Sequence, residues 1–187
     1  MIITISGHPG SGKSTVAKKL AKKLGYRRFY AGQYRRKMAK DKDMTLAEFN
    51  KWSKTHKQGD TIVDEYLTKL GKNKKANIVI ESRTAWYFIP HSLKIYLYVD
   101  LKEGAKRIWK NYEKNKKKRN EDNINSLEDL LKSIKKRLNI DIIRYKKHYG
   151  FDISKKSNYD LWLDVTKMNK KQEFAAVYNF VKERLKR

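Results

Sequence analysis

The segment Gly7-His8-Pro9-Gly10-Ser11-Gly12-Lys13-Ser14 fits the pattern G-x-x-x-x-G-K-[ST] in full. Its setting fits as well. The apolar run Ile2 to Ser6 ahead of it reads as a buried strand. Behind it, Ser14 to Leu24 carries Val16, Leu20 and Leu24 at four-residue spacing, an amphipathic helix closed by Gly25. Glycines at these positions let successive backbone N–H groups turn into one concavity, and the helix N-terminus adds its positive end. A loop built this way cradles phosphate oxygens with Gly7, Gly10, Ser11 and Gly12. Lys13 then neutralises β- and γ-phosphate charge, Ser14 ligates Mg²⁺ and Thr15 reaches the α-phosphate. A chance glycine-rich turn is the alternative, but such a match seldom falls between the right strand and the right helix.

The rest of the chain alternates in the same manner. Arg28–Tyr30 predicts a second strand, Asn77–Glu81 a third, Lys94–Asp100 a fourth and Tyr159–Val165 a fifth. Helices are expected over Gln33–Lys40, Thr45–Lys54 and Thr61–Leu70, the last two capped by Thr45 and Asp60 and the third closed by Gly71. Further helices are expected from Lys102 to about Lys114, from Ser126 past Ile142, and over Gln172–Leu185. Asn115–Asn125 is charged, almost without apolar residues, and is the candidate mobile loop. Strands alternating with helices imply a parallel sheet covered on both faces. The expected class is α/β: a P-loop NTPase fold with a five-stranded parallel sheet, in one domain spanning 1–187.

Composition removes several functions. The chain has no cysteine, which excludes disulfides, thiolate metal sites and a cysteine nucleophile. No apolar run approaches the roughly 18–20 residues that span a bilayer, and the N-terminus lacks signal-peptide features, so a cytoplasmic location is expected. Forty-six Lys plus Arg against 20 Asp plus Glu give a net charge of +26. Two readings of that excess stand: a solvated basic surface, or a polynucleotide-binding one. Aromatic residues do not alternate with the basic ones, so binding of nucleic acid is expected to be non-specific and salt-dependent.

Short length, no evident switch segments and an Arg-rich C-terminal half disfavour a large ATPase or a GTPase. The chain resembles the nucleoside monophosphate kinases, and among them the archaeal-type cytidylate kinases. The resemblance rests on Ile3-Thr4-Ile5-Ser6-Gly7 with the loop, Ala31-Gly32-Gln33-Tyr34-Arg35-Arg36-Lys37-Met38-Ala39, and Met44-Thr45-Leu46-Ala47-Glu48-Phe49. It continues through Ile80-Glu81-Ser82-Arg83, Lys94-Ile95-Tyr96-Leu97, and Arg144-Tyr145 followed by Tyr149-Gly150.

The resemblance implies that residues 31–72 form the helical insertion that binds the monophosphate, and 115–125 the lid. It implies acceptor contacts from Gly32, Arg36, Asp64 and Arg83, with Arg36 gripping the phosphate and Asp64 near the cytosine amino group. It implies that Glu81 holds Mg²⁺ through water or orients Lys13. Arg137 and Arg144, seven residues or two helical turns apart, would contact both substrates and the transferring phosphoryl group. Arg107 and Arg119 are further lid candidates. Three positions depart from the family pattern: Ala31 where a serine often sits, Arg35 where an aromatic residue is usual, and Ser82 in place of glycine.

The function so implied is transfer of the γ-phosphoryl group of ATP to CMP or dCMP by a monomeric enzyme. Catalysis rests on positioning and on cationic stabilisation by Lys13, Arg137, Arg144 and Mg²⁺, without a general base. Two alternatives remain open: another small-molecule kinase of the adenylate or uridylate type, and an RNA-associated ATPase supported by the charge.

Overall fold

The computed structural model describes residues 1–45, 48–49, 52, 58–113 and 124–186. Its backbone elements are β1 (Ile2–Gly7), α1 (Lys13–Leu24), β2 (Arg27–Tyr30), α2 (Ala31–Lys40), α3 (Gln58–Lys72) and β3 (Ile78–Glu81). They continue with α4 (Ala85–Phe88), β4 (Leu93–Tyr98), α5 (Leu101–Glu113), α6 (Leu127–Tyr149), a 3₁₀ turn (Lys156–Asn158), β5 (Leu161–Asp164) and α7 (Lys170–Leu185).

The five strands form one parallel sheet in the order β2-β3-β1-β4-β5. Every residue of β1 and β3 is buried, which is why both are mainly apolar, with only Thr4, Ser6 and Glu81 as buried polar or charged exceptions. The edge strands β2 and β5 are partly exposed, and there the chain tolerates Arg27 and Arg28. Register pairs Arg28 with Val79 and Tyr30 with Glu81. Among the described residues no helix is long and apolar enough to cross a membrane.

The chain forms two compact units, Met1–Ser6 with Ser14–Ile95, and Gly7–Lys13 with Tyr96–Arg187. In the first, Ile2, Val63, Leu67, Ile78, Ile80, Ala85 and Ile89 form a buried cluster with Phe29, Tyr34 and Met38 against it. Thr45 and Glu48 close a capping box: the Glu48 amide donates to Thr45 Oγ1, and the Thr45 amide donates to Glu48 Oε2 at 2.7 Å. These bonds hold the Glu48 carboxyl below its ordinary pKa. Most of the helix expected over Thr45–Lys54 lies outside the described residues.

The helix α3 extends beyond its expected bounds. Asp60 falls in its first turn rather than at its cap, and Gly71 lies inside it. Gly71 is there for packing, since a Cβ on it would come 3.1 Å from Ile89 Cγ1. The short α4 was not expected; four residues are too few to display a helical period.

In the second unit Leu130, Ile134 and Leu138 present one stripe of α6 to Ala105, Ile108 and Trp109. Ser126 caps α6 by accepting the Asp129 amide, and Gly150 ends it in the left-handed region at φ 74°. A capping box of Asn169 and Gln172 starts α7. All but the last two residues of the Asn115–Asn125 segment, Arg119 included, lie outside the described residues.

Arg107 is not free to serve a lid. Its Nε donates to Glu103 at 2.9 Å and its Nη1 to Glu173 at 2.8 Å, while Nη2 donates to the carbonyls of Val165, Thr166 and Met168. Glu173 is 2% exposed, and removing the cation strands its charge in the core. Arg107→Ala is therefore expected to cost about 3 kcal/mol of unfolding free energy, read by urea denaturation.

Candidate active site

The loop expected to hold phosphate lies in the second unit up to Lys13. The His8 amide donates to Leu97 O at 3.1 Å and the Ser11 amide to His8 O at 3.2 Å, which folds the segment back on itself. The His8 ring nitrogen Nδ1 meets Val99 O at 2.8 Å and ties the loop to the chain beyond β4. Lys13 Nζ donates to His8 O at 2.6 Å, so its chain arches over the turn.

Two glycines are fixed by space and backbone alike. Gly10 has φ 79°, and a Cβ on it would fall 2.3 Å from Gly104 O. Gly12 has φ 80°, and its Cβ would fall 2.5 Å from Glu173 Oε2. Ser11 is fully buried, and among the described residues its Oγ has no hydrogen-bond partner. A buried hydroxyl in that condition suits a ligand that brings its own oxygens. Gly7 also has positive φ, and Thr15 is half-buried on the first turn of α1.

Ser14, the next residue, belongs to the first unit. Its Oγ donates to Glu81 Oε1 at 2.5 Å. Glu81 ends β3, is 4% exposed, and accepts Arg28 Nη2 on its other oxygen at 2.8 Å. A hydroxyl and a carboxylate at this separation are hard oxygen donors that fit Mg²⁺, which takes one or two protein oxygens and completes its shell with water and phosphate. Among the described residues no three His, Cys, Asp or Glu side chains gather as a metal site.

The expected acceptor residues of the first unit gather around the ends of β2 and β3. Arg36 is exposed and donates through Nη2 to the Tyr30 hydroxyl at 3.0 Å. Asp64 is half-buried, and its Oδ1 lies 3.5 Å from Thr84 Oγ1. Thr84 in turn donates its amide to Ser82 Oγ at 3.2 Å. Ser82, one of the departures from the family pattern, thus makes a local turn that a glycine could not. The Arg83 carbonyl accepts the Trp86 indole N–H at 2.9 Å, which sets the chain turning from β3 into α4. Trp86 is buried and Tyr87 exposed.

Gly32 is the second residue of α2 and has the Tyr30 ring over it; a Cβ there would lie 2.7 Å from Tyr30 Cε2. In the second unit Arg137 is exposed on α6, and Arg144 is half-buried, donating to Asp141 Oδ1 and to the Tyr145 hydroxyl at 3.0 Å each.

Sequence reasoning missed Arg28, Tyr30, Gly104 and Glu173. Gly104 left a signal, an isolated glycine inside a helical pattern. Arg28 and Glu81 stand 53 residues apart, and nothing local joins them.

The family model for the cytidylate kinase-like family matches residues 2–167. A cytidylate kinase of Pyrococcus abyssi is 35% identical over 178 residues, covering 95% of this chain and 91% of its own. A cytidylate kinase of Methanocella arvoryzae is 33% identical over 183 residues, covering 98% of each chain. In structure the chain is similar to a shikimate kinase from Bacteroides thetaiotaomicron, with a TM-score of 0.65 at 16% identity over 100% of this chain and 99% of that one. An uncharacterized protein from Eubacterium ventriosum gives a TM-score of 0.69 at 18% identity, covering 97% and 98%. These two likenesses concern the fold alone, whereas the family match and the relatives concern descent: the chain belongs to the cytidylate kinase-like family.

Proposed function

We propose that this chain transfers the γ-phosphoryl group of ATP to CMP or dCMP, giving the nucleoside diphosphate. The chain is a nucleoside monophosphate kinase by family. The observation that carries the site reading is the Ser14–Glu81 contact directly after the phosphate loop. A hydroxyl beside a carboxylate is the kind of oxygen pair that a Mg²⁺–ATP complex uses, and this supports the reading. Neither an RNA-associated ATPase nor a kinase of another acceptor class is favoured by a comparable feature.

In this reading the loop amides and the Ser11 hydroxyl receive the donor's phosphate oxygens, and Lys13 leaves His8 O for the β- and γ-phosphates. Ser14 and Glu81 hold Mg²⁺, which when bound supplies charge neutralisation across the phosphates. Arg36 and Arg83 hold the acceptor's phosphate, with Gly32 and Asp64 beside the nucleoside. Arg137 and Arg144, on one face of α6, stabilise charge on the phosphoryl group in flight through their planar forks. A phosphate monoester with a second pKa of about 6 is already largely ionised at neutral pH, so no side chain need take a proton.

A coupled ADP-release assay over CMP, dCMP, UMP, AMP and GMP is expected to give turnover with CMP or dCMP; silence across the panel would overturn the reading. Lys13→Ala is expected to lower kcat by about a hundredfold or more with the melting temperature nearly unchanged. Arg36→Ala is expected to raise KM for CMP by about tenfold or more while KM for ATP moves little. An equal rise in both constants would place Arg36 elsewhere.

A further inference from the structure

β2 carries two residues that the functional reading leaves without a role. Arg28 and Tyr30 are two apart on a strand and so share one face, and register sets Tyr30 beside Glu81. Arg28 Nη2 donates to Glu81 Oε2 at 2.8 Å, and its guanidinium carbon lies 5.4 Å from the centre of the Tyr30 ring. The Arg36 guanidinium carbon lies 5.3 Å from the same ring centre, and Arg36 Nη2 donates to the Tyr30 hydroxyl at 3.0 Å. Ser14, Glu81, Arg28, Tyr30 and Arg36 therefore touch in unbroken sequence, all within the first unit.

Three features give that run a purpose. Glu81 is almost wholly removed from water, and a buried carboxylate needs a cation beside it; Arg28 is that cation among the described residues. Arg36 is exposed and long, so without a rest its guanidinium would sample many rotamers. The Tyr30 ring and hydroxyl supply the rest by cation–π attraction and a charge-assisted hydrogen bond. The ring's place is also provided for, because Gly32 has no Cβ where one would strike Tyr30 Cε2.

We propose that Arg28 and Tyr30 are positioning residues of the kinase: Arg28 fixes the metal-side carboxylate Glu81, and Tyr30, braced by Arg28, presents Arg36 to the acceptor's phosphate. The proposal rests on the kinase reading above. Gly32 then serves the acceptor site through the Tyr30 ring.

The test compares Tyr30→Leu, Tyr30→Phe, Arg28→Gln and Arg28→Lys with the wild-type chain. CMP affinity is measured by calorimetry without ATP or magnesium, alongside KM for CMP and for ATP, the magnesium dependence of the rate, and the melting temperature. Tyr30→Leu is expected to weaken CMP binding and raise KM for CMP by about fivefold, with KM for ATP within about twofold and Tyr30→Phe in between. Arg28→Gln should weaken CMP binding and also shift the magnesium dependence. Arg28→Lys should restore the magnesium dependence, since it keeps a charge opposite Glu81, but not CMP affinity, since an ammonium lacks the planar face.

CMP affinities within about twofold of wild type in both Tyr30→Leu and Arg28→Gln would overturn the proposal. So would equal rises in KM for CMP and ATP that follow a fall in melting temperature, the mark of structural support only. Failure of the wild-type chain to bind or phosphorylate CMP would defeat the kinase reading itself, a separate result.

Discussion

Glu81 stands at the carboxyl end of β3 with almost no access to water, and each of its oxygens accepts a hydrogen bond, one from Ser14 and one from Arg28. Leaving such a carboxylate unpaired would cost several kcal/mol. The pairing therefore constrains more than itself. It fixes the first residue of α1 beyond the loop, it selects an arginine on an edge strand, and through register it brings the Tyr30 ring alongside. Edge placement helps, because Arg28 remains about one quarter exposed and keeps much of its hydration.

The second unit follows the same logic with different partners. Glu173 is equally buried, and Arg107 spends its donors on that carboxylate, on Glu103 and on three carbonyls between Val165 and Met168. Glu173 also lies against Gly12. The ion pair thus sits beneath the loop and limits which residue the loop can carry at that point. In each unit a buried glutamate matched to an arginine holds a stretch of the loop or of the helix that follows it.

What was legible in the sequence was local. Eight consecutive residues specified the phosphate loop, and short, mainly apolar runs marked β1 and β3 because parallel strands are covered on both faces. Ser126 marked the start of the long helix, since a cap is chemistry between near neighbours. Long-range pairings were not legible. Arg107 meets Glu173 across 66 residues, and from its neighbours alone it resembled any basic helix residue, which is why a lid role was expected for it. Arg28 was hidden likewise within a short basic strand. Gly71 misled for another reason: a glycine near a helix end commonly stops the helix, but here it admits Ile89. Of the expected site residues, Ser14 and Glu81 meet directly, Arg36 leans on Tyr30, and Asp64 reaches Thr84.

Gly10 and Gly104 face each other so closely that neither has room for a methyl group: a Cβ on one would enter the carbonyl of the other or of Pro9. The motif whose consecutive residues end at Ser14 therefore includes a residue on α5, far along the chain. Enlarging either glycine separates the helix from the loop, and a compensating change at the other cannot restore the fit, because nothing smaller than glycine exists. The two positions are locked together without an evolutionary exit. A library of variants selected for function should leave both unchanged even where every other part of α5 drifts.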